Sequence, residues 1–249
     1  MASRHARCEI PFSKLLRSRR ATDNFSPEPV PASDLQEILY AGLQAPSSYN
    51  LQPWRFVVVR DLNQRKKLRI AALDQHKVEE APLVIVACGD TTGWTQDLEE
   101  VVRIGKAQGI GDDAWAERKR KKVTADLGSH SNMPMWVAKQ TMIAATTMMW
   151  MAETLGYDTG PMEGFDEEHV RAVLNIPTHV RVLFLLAIGH LHGKDGRYPG
   201  RFSPTRTIFS ETYGQPFPME SAAPNRRSTR SGKTECKKNG DLISLPASE

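Results

Sequence analysis

The segment that decides the fold of this chain runs from Gln44 to Phe56 and reads QAPSSYNLQPWRF. It follows an amphipathic helical pattern, carries five hydrogen-bonding side chains between its two prolines, and leads directly into the apolar residues 56–59. A connection that only has to turn the chain uses Gly, Asn and Asp instead. Polar loops that are positioned by a rigid strand commonly carry function. The segment therefore predicts a binding loop in front of a strand.

The composition predicts a globular protein that binds neither nucleic acid nor a membrane. Of its 249 residues 40% are hydrophobic, which is ordinary for this class, and the formal charge of +4 is spread along the chain. The one dense basic run, residues 118–122, lies in a helical pattern at 113–127, where a solvated helix face is favoured over a nucleic-acid patch. The longest apolar stretch, residues 135–155, contains Lys139 and Glu153, which indicates a buried helix rather than a membrane span.

The cysteines and the N-terminus favour a cytoplasmic location. Cys8, Cys88 and Cys236 are odd in number and far apart, so they fit neither a disulfide framework nor a metal site. Residues 1–7 are not followed by the apolar region of a signal peptide. Cys88 ends an apolar strand pattern and is expected to be a small buried residue.

The apolar patterns indicate one main domain of alternating helices and strands. Ser33 and Gln36 form a capping-box pattern at the start of a helix. The continuous apolar run 83–88 predicts a strand that is covered on both faces. The helical pattern 135–155 is apolar on nearly all sides, so a second subunit is expected to cover part of it. We expect a flexible N-terminus at 1–11, one domain at 12–217 and a disordered tail at 218–249.

Four separated segments give the chain a family resemblance. They are residues 19–25 (RRATDNF), 46–54 (PSSYNLQPW), 74–82 (DQHKVEEAP) and 160–166 (GPMEGFD). Their order and spacing resemble the FMN-dependent nitroreductase family over residues 12–213. The resemblance implies an α+β fold in which helices flank a central, mostly antiparallel sheet. It also implies an intertwined homodimer with FMN at the subunit interface.

The resemblance implies a phosphate-binding element at the start of the domain. This element contains Arg19, Arg20, Ala21 and Asp23, and Arg201 resembles a basic residue that binds the phosphate from the C-terminal side. Guanidinium groups suit a phosphate because they donate paired, charge-assisted hydrogen bonds to its oxygens. On their own, two arginines near a helix end are more often surface residues favoured by the helix dipole.

The binding loop is implied to contact the flavin ring and its ribityl chain. The residues concerned are Pro46, Ser47, Ser48, Asn50 and Gln52. Amides and hydroxyls match the donors and acceptors along the pyrimidine edge of the ring.

Two further segments are implied to flank the ring. Asp74 and Lys77 stand where the family places an amide and a lysine beside the N1–O2 edge of the flavin. From sequence alone, Lys77 fits an exposed lysine on a helix nearly as well. The segment that brings backbone amides to N5 and O4 contains Pro161, Met162, Glu163 and Gly164.

Two residues depart from the family pattern. Ala21 stands where a hydroxyl side chain is common, and it cannot donate to phosphate or ribityl oxygens. Asp23 stands where a basic residue is common, and its carboxylate would repel the reduced flavin if it pointed inward. Either Asp23 turns away from the flavin, or Lys77 alone serves the N1 edge.

The implied activity is that of an FMN-dependent oxidoreductase. NAD(P)H would reduce the flavin, and a small electrophilic acceptor such as a nitroaromatic or a quinone would reoxidise it in a ping-pong sequence. The chemistry belongs to the cofactor, so no catalytic side chain and no metal are expected. His190 and His192 form a His-x-His pattern without an evident third ligand.

Two alternatives stay open. One is another flavoenzyme on the same scaffold, namely a reductive dehalogenase, a dehydrogenase or a flavin-fragmenting enzyme, which would differ in the segment 91–133. The other is a non-catalytic flavin-binding or regulatory protein, which Ala21 and Asp23 favour.

Overall fold

A computed structural model of the chain describes residues 12–194 and 199–219. The described residues divide into two compact units, one within Arg19–Pro199 and the other within Met1–Ser18 and Gly200–Glu249. The N-terminus expected to be flexible, 1–11, lies outside the described residues, as does all but the start of the tail expected to be disordered.

In the larger unit, one or more helices stand before each strand in the sequence. Its strands are β1 (Trp54–Val59), β2 (Leu83–Asp90), β3 (Asp158–Met162) and β4 (Val180–Gly189). The helices, with α1 and α9 in the smaller unit, are α1 (Phe12–Ser18), α2 (Ala32–Leu43), α3 (Leu62–Ala71), α4 (Lys77–Glu80), α5 (Trp94–Ala107), α6 (Asp113–Leu127), α7 (Met133–Thr154), α8 (Glu167–Leu174) and α9 (Pro204–Thr207).

The four strands form one antiparallel sheet in the order β1-β2-β4-β3. Every residue of β2 is buried, as expected for a central strand covered on both faces. Alternate residues of a strand point to opposite faces, so β2 contributes to two separate cores. Val84, Val86 and Cys88 pack with residues of α3, α4 and α8, whereas Leu83 and Ile85 pack with α2 and α7. The predicted α+β arrangement of helices around an antiparallel sheet is confirmed.

Cys88 is buried, as the sequence indicates. Burial raises the pKa of its thiol to about 12, because the thiolate would lose its hydration. The residue therefore behaves as a small apolar side chain of the core.

Side-chain caps mark the starts of several helices. Asp61, Asp112, Asn132 and Asp166 each accept a hydrogen bond from a backbone amide three residues later. The capping box predicted at Ser33 is wrong. Helix α2 begins at Ala32 after Pro31, without a side-chain cap, because the proline fixes its own φ at −56° and starts the helix two residues earlier.

Helices α5 and α6 occupy most of the segment 91–133, and α6 matches the helical pattern predicted at 113–127. They pack with Leu51 of the binding loop and with Trp136 and Val137 of α7 in a third core. One residue of the basic run on α6, Arg120, forms an ion pair with Glu99. The other cations of the run are exposed or half-buried. Within the described residues, none of the helices combines the length and apolar character that a membrane span requires.

Candidate functional site

The segment Arg19–Phe25 lies along the free edge of β3. Thr22 N donates to Thr159 O across 2.9 Å, and Ala21 forms a parallel bridge with Thr159. Gly160 allows this approach, since a Cβ built there would lie 2.6 Å from Thr22 O. An edge strand has unpaired backbone groups, and this segment satisfies some of them. The backbone around Asp23 is thereby fixed beside β3.

Asp23 and Lys77 form an ion pair between two predicted site segments. Lys77 Nζ lies 2.8 Å from Asp23 Oδ1, with the lysine side chain 14% exposed and the aspartate 74% exposed. A second contact supports the same junction, because Phe25 N donates to Glu80 Oε2 across 3.4 Å. The carboxylate of Asp23 thus faces Lys77. The two alternatives that the sequence leaves for Asp23 both concern the flavin, and they stay predictions.

Gln75 links the segment before α4 to the segment after β3. Its Nε2 donates to Gly164 O across 2.6 Å. The sequence analysis did not select this residue, although it is an amide two positions before Lys77, in the segment where the resemblance requires one. Asp74, which was selected, accepts instead from Arg69 Nε across 2.7 Å, and this hydrogen bond holds the pKa of Asp74 below its usual value. The contact of Asp74 with a flavin stays a prediction.

Burial differs among the four predicted site residues at the end of β3, which are Pro161, Met162, Glu163 and Gly164. Met162 ends β3 and is buried in the core on the α3–α8 face of the sheet, so its side chain is not available to a ligand. Glu163 and Gly164 follow the strand and are exposed. A Cβ built on Gly164 would meet only Gln75 Nε2, at 3.4 Å, which leaves open space above this backbone.

Arg19 and Arg20 are half-buried beside the same edge. The guanidinium carbon of Arg19 lies 6.0 Å from the ring centroid of Trp150 on α7, within the range of a cation–π contact. Arg20 Nη1 donates to Arg19 O across 2.8 Å. Their binding of a phosphate stays a prediction.

The binding loop is held in a strained conformation. Tyr49, Asn50 and Gln52 have φ values of 59°, 61° and 48°, a region that costs non-glycine residues free energy and that clusters at functional sites. Internal hydrogen bonds maintain this shape: Ser47 Oγ accepts from Gln52 N across 3.0 Å. Gln52 Nε2 donates to Asn50 Oδ1 across 3.3 Å.

Backbone strain is concentrated in the predicted site. Among the described residues, five of the seven non-glycine residues with positive φ lie in the binding loop or in the segment before α4. The two in the latter segment are Leu73 and Asp74. The concentration of positive φ values in these two segments supports a role for both in binding.

Arg55 supports the loop from β1, a role that the sequence analysis missed. Its guanidinium donates to Gln52 O across 3.2 Å and pairs with Asp97 at 2.9 Å. Burial raises the pKa of Asp97, which Arg55 partly opposes. Arg55 also lies 3.4 Å from Asp90, whose own pKa would be raised by burial but is held below its usual value by the backbone amides of Thr92 and Gly93. No local periodicity signals the pairs with Asp90 and Asp97, since these residues lie 35 and 42 positions from Arg55 in sequence.

The structure assembles three of the four segments and leaves the binding loop elsewhere. Segments 19–25, 74–82 and 160–166 meet at β3. The loop leads into β1 at the opposite edge of the sheet, three strand spacings or roughly 14 Å away. Two contacts with α7 also show that these segments lie apart. Ser48 N donates to Gln140 Oε1 across 2.8 Å, whereas the guanidinium group of Arg19 lies at the ring of Trp150. Ten helical residues separate these two positions, a rise of about 15 Å. The predicted site residues of one chain therefore lie in two separate groups, the two predicted half-sites.

Arg201 belongs to the smaller unit. It is exposed, and its Nη1 donates to Gly200 O across 2.7 Å. Its binding of a phosphate stays a prediction.

Comparisons with known proteins agree with this architecture. The Nitroreductase family is matched over residues 16–190. A protein of Thermus thermophilus named NADH dehydrogenase is 39% identical over 190 residues, which are 76% of this chain and 90% of the relative.

Two solved structures are similar to most of the chain. YdfN of Bacillus subtilis, named as a nitroreductase, is 27% identical with a TM-score of 0.75 over 81% of this chain and 98% of its own. A nitroreductase-named protein of Exiguobacterium sibiricum, in complex with FMN, is 23% identical with a TM-score of 0.74 over 82% of this chain and 98% of its own. Because the family match extends over well more than half of its residues, this chain belongs to the nitroreductase family and is an oxidoreductase.

Proposed function

We propose that this protein binds FMN and passes electrons from NAD(P)H to a small electrophilic acceptor, such as a nitroaromatic compound or a quinone. The observation that carries the proposal is the meeting of three segments at the β3 edge. It brings Arg19 and Arg20, Lys77 and the exposed backbone at Gly164 to one side of the larger unit. Each group suits a different part of FMN.

The chemistry of these residues fits the cofactor. Adjacent guanidinium groups suit a phosphate that carries nearly two negative charges. The open space above Gly164 lets a flat ring approach the backbone, which a side chain would prevent. Lys77 supplies a cation for the polar edge of the ring. Bound FMN would supply hydride transfer, while the protein binds it, orients it and sets the charge around it.

We also propose that the binding site is completed by a second copy of the chain. The binding loop of one copy would meet the β3 edge of the other, because the two half-sites of a single chain are separated by the width of the sheet. Exposed apolar side chains on α2 and α7 suit an interface: Tyr40 is 63% exposed and Met135 55%. The resulting homodimer would hold FMN between its subunits.

A ping-pong order follows from the shared surface that donor and acceptor would use. Both have to reach the open face of the ring, with reacting atoms at about 3–3.5 Å. A nicotinamide and an acceptor cannot occupy this face together, so the oxidised nucleotide leaves before the acceptor binds. The NADH dehydrogenase name of the Thermus relative supports a nicotinamide donor.

The test begins with the purified protein and its absorbance spectrum. We expect a yellow protein, or one that takes up added FMN, at one FMN per chain and a mass of twice the 27.9 kDa of one chain. NADH or NADPH should bleach the flavin without oxygen, and a nitroaromatic or a quinone should restore the colour. A colourless protein that takes up no FMN would contradict the proposal. A yellow protein that neither nucleotide bleaches would instead be a flavin-binding protein.

A further inference from the structure

We propose that Asp23 sets the redox potential of bound FMN by competing with the flavin for the ammonium group of Lys77. The inference rests on the proposed FMN binding and adds a role for a residue of this chain. In it, Asp23 acts through Lys77 and is a positioning residue, not a catalytic one.

The ion pair is specific among the neighbouring charges. Lys77 Nζ lies 2.8 Å from Asp23 Oδ1. The two acids on the same short helix are engaged elsewhere: Glu79 pairs with Arg69 at 3.0 Å, and Glu80 accepts from Phe25 N. Among the described residues, Asp23 is therefore the carboxylate that pairs with Lys77.

The pair is held on both sides. Directly before Asp23, the backbone amide of Thr22 donates a hydrogen bond to Thr159 of β3. Two residues after Asp23, the backbone amide of Phe25 donates to Glu80. The lysine side chain is only 14% exposed, so its ammonium group has little freedom to seek other partners. Gln75, two residues before Lys77, is tied to Gly164. Both charges are thus fixed at the junction of the segments that are proposed to flank the flavin.

The Asp23 carboxylate changes the charge beside the proposed position of the flavin. An unpaired lysine beside the ring would favour reduced FMN, because reduction adds negative charge to the polar edge. A carboxylate on the same ammonium group cancels much of this attraction. Asp23 is 74% exposed, so solvent screens the pair and limits the effect. We expect the pair to weaken the preference for reduced over oxidised FMN by about tenfold, equivalent to about 30 mV for a two-electron couple.

The experiment compares Asp23→Asn with the wild type in the full-length, FMN-loaded protein. Titration with FMN gives the dissociation constant of the oxidised form, and anaerobic equilibration with a redox dye gives the midpoint potential. We expect Asp23→Asn to raise the potential by about 30 mV, equivalent to a tenfold stronger preference for reduced FMN. Asp23→Ser is a second variant, should the asparagine disturb folding. Glu28→Gln is the matched control, since Glu28 is an exposed acid nearby whose backbone bonds only to Ser26 Oγ.

A double-mutant cycle with Lys77→Gln assigns the route of the effect. If Asp23 acts through Lys77, Asp23→Asn should shift the potential much less in the Lys77→Gln background. An equal shift in both backgrounds would overturn this route. A potential in both Asp23 variants that matches Glu28→Gln would overturn the inference and leave the proposed function intact. A wild type that binds no FMN would overturn the proposed function itself.

Discussion

The side-chain amide of Gln75 donates to the carbonyl oxygen of Gly164 across 2.6 Å and to that of Ala72 across 3.1 Å. Residues 75 and 164 are 89 positions apart, yet this one side chain links the segment before α4 to the segment after β3. The Gly164 backbone therefore depends on Gln75 for its position beside the proposed ring site.

Replacing Gln75 by leucine should weaken FMN binding about tenfold, because each lost hydrogen bond is worth about 1 kcal/mol. Fluorescence titration with FMN measures the change. The matched control is Gln64→Leu, since Gln64 Nε2 donates to Val173 O across 2.7 Å and joins α3 to α8 away from the site. The control should lower the melting temperature and keep the FMN affinity. Equal losses of affinity in both variants would show that Gln75 acts only on stability.

Two glycines in and after β3 should respond differently to alanine. A Cβ on Gly160 would lie 2.6 Å from Thr22 O, a backbone atom that cannot move aside, so Gly160→Ala should destabilise the fold by about 1–3 kcal/mol. At Gly164 a Cβ meets only Gln75 Nε2, at 3.4 Å, so the fold should tolerate Gly164→Ala. The added methyl group would instead obstruct the ring and weaken FMN binding. Urea unfolding and FMN titration separate the two effects, and a Gly164→Ala variant with unchanged affinity would place the ring elsewhere.

Arg201 is predicted to bind the FMN phosphate. Arg201→Ala should then strip most of the flavin during purification, because a charge-assisted pair with the phosphate would be lost. Arg206→Ala is a suitable control, since Arg206 lies in the same unit with its guanidinium carbon 4.2 Å from the centroid of the Phe202 ring. The ratio of flavin to protein absorbance is the measurement. Full flavin retention by Arg201→Ala would remove this residue from the site.

The pH dependence of stability can be tested at Glu167. Two hydrogen bonds of 2.7 Å from Arg181 and one from Val182 N hold the pKa of this carboxyl below its ordinary value of 4.5. A depressed carboxyl pKa contributes stability above the unfolded pKa, and this contribution is lost as the pH falls through the lower, folded pKa.

Glu167→Gln should therefore be less stable than the wild type at pH 7, and the difference should shrink below about pH 4.5. Urea unfolding at a series of pH values measures it. Glu168→Gln is the control: its carboxylate is 80% exposed and should change stability little. A difference that grows towards low pH would contradict the assignment.

Local sequence patterns account for most of the fold. The apolar run of β2 predicted a strand covered on both faces, and the helical pattern at 113–127 matches α6. Both depend on periodicity within a few residues. The capping box at Ser33 failed because Pro31 starts the helix earlier, so two local signals competed and the backbone constraint of proline prevailed.

Contacts between distant segments could not be predicted in the same way. The motifs selected the segments around Asp23 and Lys77, but not the ion pair, since residues 54 positions apart leave no periodic signal. The same holds for Gln75 with Gly164 and for Arg55 with Asp97. The family resemblance identified which residues belong to the predicted site. The contacts that those residues make depend on tertiary packing.

The final prediction concerns the support of the binding loop by α7. Gln140 is 7% exposed, and its Oε1 accepts from Ser48 N across 2.8 Å, in the loop that carries three residues with positive φ. Gln140→Leu would leave the Ser48 amide without its acceptor and loosen a strained conformation, at a cost of about 1–3 kcal/mol. We expect faster hydrogen exchange at residues 47–52 in the FMN-free protein and weaker FMN binding. Thr147→Val on the same helix, whose hydroxyl bonds only to Ile143 O, should change neither. Unchanged exchange in Gln140→Leu would mean that the hydrogen bonds within the loop, together with Arg55 at the Gln52 carbonyl, are sufficient to hold it.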